Sequence, residues 1–147
     1  MTIFRLFYFS TFIVLSVASL NAQPVSAERC KRIAQAVRGS SYLRSNPDFP
    51  EHDQIWHFVD ETVLQISQKS GKNRAGQPMV WKFQFEDQMC QLKVAGNNKS
   101  DHWISYRLEE VTWAIITRNG KDHHIPDFRD HSGSMMKFCN FGANCSK

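Results

Sequence analysis

The sequence predicts an α+β domain, one N-terminal helix packed on an antiparallel β-sheet meander. Three observations predict it. Glu28 to Arg38 has the spacing of an amphipathic helix; most apolar runs after Phe58 alternate with period two; and Asn119-Gly120 supplies a hairpin turn late in the chain. The 147 residues and 17.0 kDa leave room for a single domain.

Residues 1–27 read as a secretory signal. Met1-Thr2-Ile3-Phe4-Arg5 is a basic start, an apolar run extends from Leu6 to about Leu20, and Val25-Ser26-Ala27 offers small or branched residues for cleavage. The run falls short of the roughly 20 apolar residues of a membrane span. A cut after Ala27 leaves one domain, residues 28–147; a cut after Ala22 is the second choice. Only Arg5 leaves with the signal, so the formal charge falls from +4 to +3, too little for a polycationic protein.

In the helix, Cys30, Ile33, Ala34 and Val37 fall on one face and Gly39 stops it. From Gly39 to Asp53 two prolines and no period predict a loop. Ile55 to Gln68 suits helix or strand; β-branched enrichment favours a strand over Phe58 to Ser67. Beyond the polar stretch Ser70 to Gln77, Trp81, Phe83 and Phe85 alternate with Lys82, Gln84 and Glu86 in a half-buried strand. Asp87-Gln88 turns it back into Met89 to Val94. His102 to Glu109 and Val111 to Arg118 are two further strands, followed by the Asn119-Gly120 turn, a turn-rich stretch from His123 to Ser134, and a short strand over Met135 to Phe138.

Cys30, Cys90, Cys139 and Cys145 make an even set in an exported chain, which predicts two disulfides and no metal site. Three connectivities are open. A Cys30–Cys139 bridge, tying the two ends of the domain, is favoured. Asn98-Lys99-Ser100 and Asn144-Cys145-Ser146 match the glycosylation pattern, the first in a predicted loop.

Chemistry has two sources. His123, His124 and His131 lie near Asp122, Asp127, Arg129 and Asp130, which could supply an acid-base pair, although a solvated polar loop has the same composition. Adjacent histidines on an extended segment point to opposite faces and do not chelate. Trp81, Phe83, Phe85, Trp103, Tyr106 and Trp113 interleave with Lys82, Lys93, Arg107 and Arg118, the mixture with which sheets stack bases and hold phosphates. The same aromatics serve equally as a sheet core. The candidate binding residues are Lys82, Lys93, Arg107, Arg118, His124 and Arg129.

A Cys near the mature start, a helix, a central sheet and the tail His131-Ser132-Gly133-Ser134-Met135-Met136-Lys137-Phe138-Cys139 resemble the small guanyl-specific fungal ribonucleases. More closely, they resemble the ribonuclease-like secreted effectors of cereal powdery mildews. Ser45 to His52 is similar to the aromatic-Pro-His loop of the enzymes, Pro78 to Trp81 stands where they carry a catalytic Glu, and Glu110-Val111 where they carry a catalytic Arg. Here Trp81 replaces the Glu, and Glu110 puts a carboxylate where a cation should stabilise the phosphorane. Glu28-Arg29-Cys30 replaces the aromatic-x-Cys start of the effectors.

The resemblance therefore implies a ribonuclease-like scaffold without catalysis, engaging host RNA or host proteins, with virulence as its role and translocation into the host cell as its route. The secreted chain is expected to be a monomer free of cofactors. An active ribonuclease would use His52, Glu110 and His131. A bacterial periplasmic inhibitor or immunity protein is the third reading.

Overall fold

The computed structural model describes residues 25–68, 78–96, 102–143 and 145. The leader except its last residues, the stretch Ser70 to Gln77 and both glycosylation asparagines, Asn98 and Asn144, lie outside the described residues. One helix, α1 (Ala27–Val37), is followed by β1 (Ser40–Ser45), a short 3-10 turn (Pro50–His52), β2 (Gln54–Phe58), β3 (Val63–Gln68), β4 (Met79–Glu86), β5 (Met89–Gly96), β6 (Ile104–Arg118), β7 (Lys121–Asp130) and β8 (Met135–Phe141).

The eight strands pair antiparallel in sequence order, and β1 pairs with β8, from Ser40↔Phe141 to Ser45↔Met135. This closes a barrel. It corrects the expected α+β meander and the ribonuclease-like fold: the helix is present, but the sheet curls until its first and last strands meet. Closure removes most of the exposed edges that an open meander would leave.

The helix forms where its periodicity places it. Ser26 caps it, accepting from the Arg29 N–H at 3.3 Å, and Glu28 sits in the first turn, where the helix dipole favours an anion. Cys30, Ile33 and Val37 are buried, as is Val25 before the cap. Val25 and Ser26 thus belong to the folded domain, although a cut after Ala27 would remove both. Gly39, at φ 72°, ends the helix, and its N–H reaches the Phe58 carbonyl at 2.7 Å.

Four expectations are different. His102 to Glu109 and Val111 to Arg118, read as two strands, run as one, β6, with a bulge between Leu108 and Glu110. Ser40 to Ser45, read as loop, is β1, because Tyr42 is fully buried and pairs with Trp56 on one side and Phe138 on the other. Phe58 to Ser67, read as one strand, is broken by a turn at Asp60, whose Oδ1 accepts from the Thr62 and Val63 N–H groups at 2.8 Å each. His123 to Ser134, read as turns, is mostly β7. Pro126 is tolerated in that strand because the β7–β8 ladder covers only Phe128↔Met136 and Arg129↔Met135. Its carbonyl instead accepts from the Tyr42 hydroxyl at 2.9 Å.

The Cys30–Cys139 expectation also falls. Cys30 joins Cys90, which faces the buried side of α1 from β5, and Cys139 joins Cys145 after the chain reverses near Gly142. The first bridge ties helix to sheet; the second closes a small C-terminal loop.

Inside, five rings form a closed circuit. Tyr42 meets Phe58 (centroids 5.7 Å), Phe58 meets Trp81 (4.9 Å), Trp81 meets Phe83 (5.8 Å), Phe83 meets Phe128 (6.0 Å), and Phe128 returns to Tyr42 (5.7 Å). Most contacts are edge-to-face, the arrangement the ring quadrupoles favour. Arg44 makes a second junction across the barrel. Its guanidinium lies 5.4 Å from the Trp56 ring and 5.1 Å from the Tyr106 ring, and 3.2 Å from the buried Asp130 carboxylate. Burial raises the Tyr106 phenol pKa; Arg44 opposes this and Asp130 adds to it.

Candidate functional site

A groove of about 620 Å³ lies between α1 and the β6–β7 hairpin, lined by Arg29, Arg32, Gln35, Ala36, Trp113 and His124. Its volume falls within the usual range of ligand sites. Helical spacing explains one wall. Arg29 and Arg32 are three apart, and Gln35 and Ala36 follow Arg32 by three and four, so the four share a face beside the buried one. Strand register explains the other wall. Trp113 pairs with Pro126 and Ile115 with His124, which puts Trp113 and His124 on one face of the hairpin, diagonal to each other.

Among the described residues no carboxylate lines the groove. Neither Arg29 nor Arg32 has an ion-pair partner among the described residues, and Glu28, one turn before Arg32, forms no ion pair with it. Trp113 is half-buried and rests against the core, leaving part of its ring toward the groove. The groove can therefore hold an anion with two guanidiniums and offer an aromatic surface beside it.

Of the six predicted binding residues, only His124 lines this groove. Lys82 lies 4.5 Å from the Trp103 ring, and Lys93, opposite it in the β4–β5 ladder, makes a 2.5 Å ion pair with Glu86. Arg129 is paired with Glu110 at 3.0 Å, Arg118 stacks over Phe141 at 4.9 Å, and Arg107 is exposed at the other end of β6. Arg29 and Arg32 escaped notice as site residues because they read as the solvent side of a helix, and their opposite wall is some eighty residues away in sequence.

The three residues proposed for catalysis engage separate partners. His52, on the exposed 3-10 turn, lies 3.6 Å from Glu51, Glu110 holds Arg129, and His131 Nδ1 accepts from the Arg107 N–H at 3.2 Å. Among the described residues no three His, Cys, Asp or Glu side chains gather as a metal site, and no helix is long and apolar enough to cross a membrane.

Comparison with protein-family models, characterised proteins and solved structures gives no match to the chain.

Proposed function

We propose that this is an exported, disulfide-linked binding protein that takes a segment of single-stranded RNA in the groove between α1 and the β6–β7 hairpin. The observation that carries the reading is the lining itself: Trp113 and His124 stand opposite Arg29 and Arg32, which have no counter-ion and no acidic neighbour in the groove among the described residues. Side chains three apart on a helix have Cβ atoms about 5–6 Å apart, the scale on which phosphates succeed one another along a strand. Stacking a base on an exposed tryptophan face contributes about 1–3 kcal/mol. An acidic peptide would use the arginines but leave Trp113 idle, so RNA fits the lining better. The two disulfides are compatible with an extracellular protein.

The test is anisotropy of a labelled oligoribonucleotide titrated with protein over a series of salt concentrations, for the parent and for R29A/R32A. For single strands the slope of log K against log salt is about −0.7 per phosphate neutralised. The double variant should bind more weakly and lose about 1.4 of that slope. Equal slopes for the two proteins, or binding of an acidic peptide with none of RNA, would refute the reading.

A further inference from the structure

Among the described residues, the outer edge of β6 is unpaired over most of its length. β5 covers β6 only from Ile104 to Arg107, while β6 continues to Arg118 with β7 on its other side. The two-residue Asn119-Gly120 turn fixes which backbone groups are free. Arg118 and Lys121 flank it as a hydrogen-bonded pair, so alternate pairs inward from it, Thr117↔Asp122, Ile115↔His124 and Trp113↔Pro126, are non-hydrogen-bonded. Pro126 in such a pair agrees with this phase. The N–H and C=O groups of Val111, Trp113, Ile115 and Thr117 therefore point away from β7, and no described residue's backbone bonds to them. The run from Val111 to Thr117 carries no charge and is rich in β-branched residues. Ile115 is 64 % exposed, the highest value among the described large apolar residues. Folded proteins seldom leave such an edge uncovered.

We infer that a second copy of this chain covers it, β6 against β6 in antiparallel pairing about a twofold axis at Ala114. The sequence chooses the register. A symmetric antiparallel pair must place its axis on a residue, and with the axis at Ala114 Glu110 faces Arg118 of the other copy, twice by symmetry, while Trp113 faces Ile115 and Thr112 faces Ile116. Moved one residue toward the start, the axis puts Glu110 against Ile116 and Arg118 against Leu108. Moved one residue the other way, it puts Glu110 against Gly120. Only the Ala114 axis sets opposite charges across from each other, and it places the smallest side chain of the run at the centre. The inference rests on strand register and is independent of the RNA reading.

Sedimentation equilibrium over a wide concentration range tests it on the oxidised protein. The parent should reach a dimer mass and go no further. R118E should weaken association about tenfold, since two attractive cross-strand pairs become repulsive, and R118K, which keeps the charge and leaves the Glu110–Arg129 pair intact, should not. Ile115→Pro removes an outward N–H without touching the β6–β7 ladder and should abolish the dimer while circular dichroism and the disulfide map stay as in the parent. A parent that remains monomeric, assembles beyond a dimer, or dimerises undiminished as I115P would overturn the inference.

Discussion

Replacing Cys30 and Cys90 together by alanine removes the bridge between α1 and β5, and its effect follows from the chain length it closes. The two cysteines are 60 residues apart, and closing such a loop in the unfolded chain corresponds to about 4 kcal/mol in the chain-entropy model. Cys139 and Cys145 are only 6 apart, worth about 2 kcal/mol. Both sulfurs of the long bridge are also buried, so lost packing adds to the first figure. Against a total stability of about 5–15 kcal/mol, the first variant is marginal and the second is not. At roughly 4 °C per kcal/mol, melting should fall by about 15 °C or more for C30A/C90A and by about half as much for C139A/C145A. Thermal unfolding followed by circular dichroism measures both. A non-reducing tryptic map checks the premise: Cys30-Lys31 should be disulfide-linked to Phe83–Lys93, with Cys139 and Cys145 bridged inside Phe138–Lys147. Recovery of Cys30-Lys31 joined to Phe138–Lys147, or a larger loss from the short loop than from the long one, would refute the reasoning.

Tyr42→Phe leaves the buried Pro126 carbonyl without its donor and should cost about 1–3 kcal/mol. Burial, with Asp127 adding to it, raises the Tyr42 phenol pKa above its unfolded value, so its contribution is complete below about pH 10 and is lost as pH rises further; urea midpoints across that range should fall less steeply for the variant. Asp60 behaves oppositely. The Thr62 and Val63 N–H groups lower its pKa, so its contribution is present above about pH 4 and is lost as pH falls through the folded value, and Asp60→Asn should flatten the acid limb of the same urea series. A chain beginning at Glu28 lacks the Ser26 cap and the buried Val25, and should melt below one beginning at Gln23 by the equivalent of about 2–3 kcal/mol; equal midpoints would remove both residues from the domain.

What could be read from the sequence was local. The helix was legible because Cys30, Ile33 and Val37 recur at helical spacing, and β4 and β5 because Trp81, Phe83 and Phe85 alternate before a turn at Asp87-Gln88. Asn119-Gly120 marked its hairpin, and both residues adopt the positive φ the turn demands, 52° and 71°. β1 and β7 were hidden by composition. Ser40 to Ser45 carries one aromatic among serines, and Lys121 to Asp130 mixes charges, histidines and a proline, with its tolerance for Pro126 set by how little of β7 meets β8. Barrel closure joins Ser40 to Phe141 and has no local signature. The same holds for the groove, whose walls meet only after the barrel is built, and for the cysteine partners, which four residues alone leave with three solutions.

The circuit of five interlocked rings bears on how this protein can change over generations. Exchanging any one ring disturbs two neighbours at once, so viable drift in the interior requires compensating substitutions made together. The exposed stripe of α1, Arg29, Arg32 and Gln35, and the exposed His124 on the hairpin lie outside that circuit. New ligand preferences can accumulate there one mutation at a time, while the barrel beneath keeps its shape.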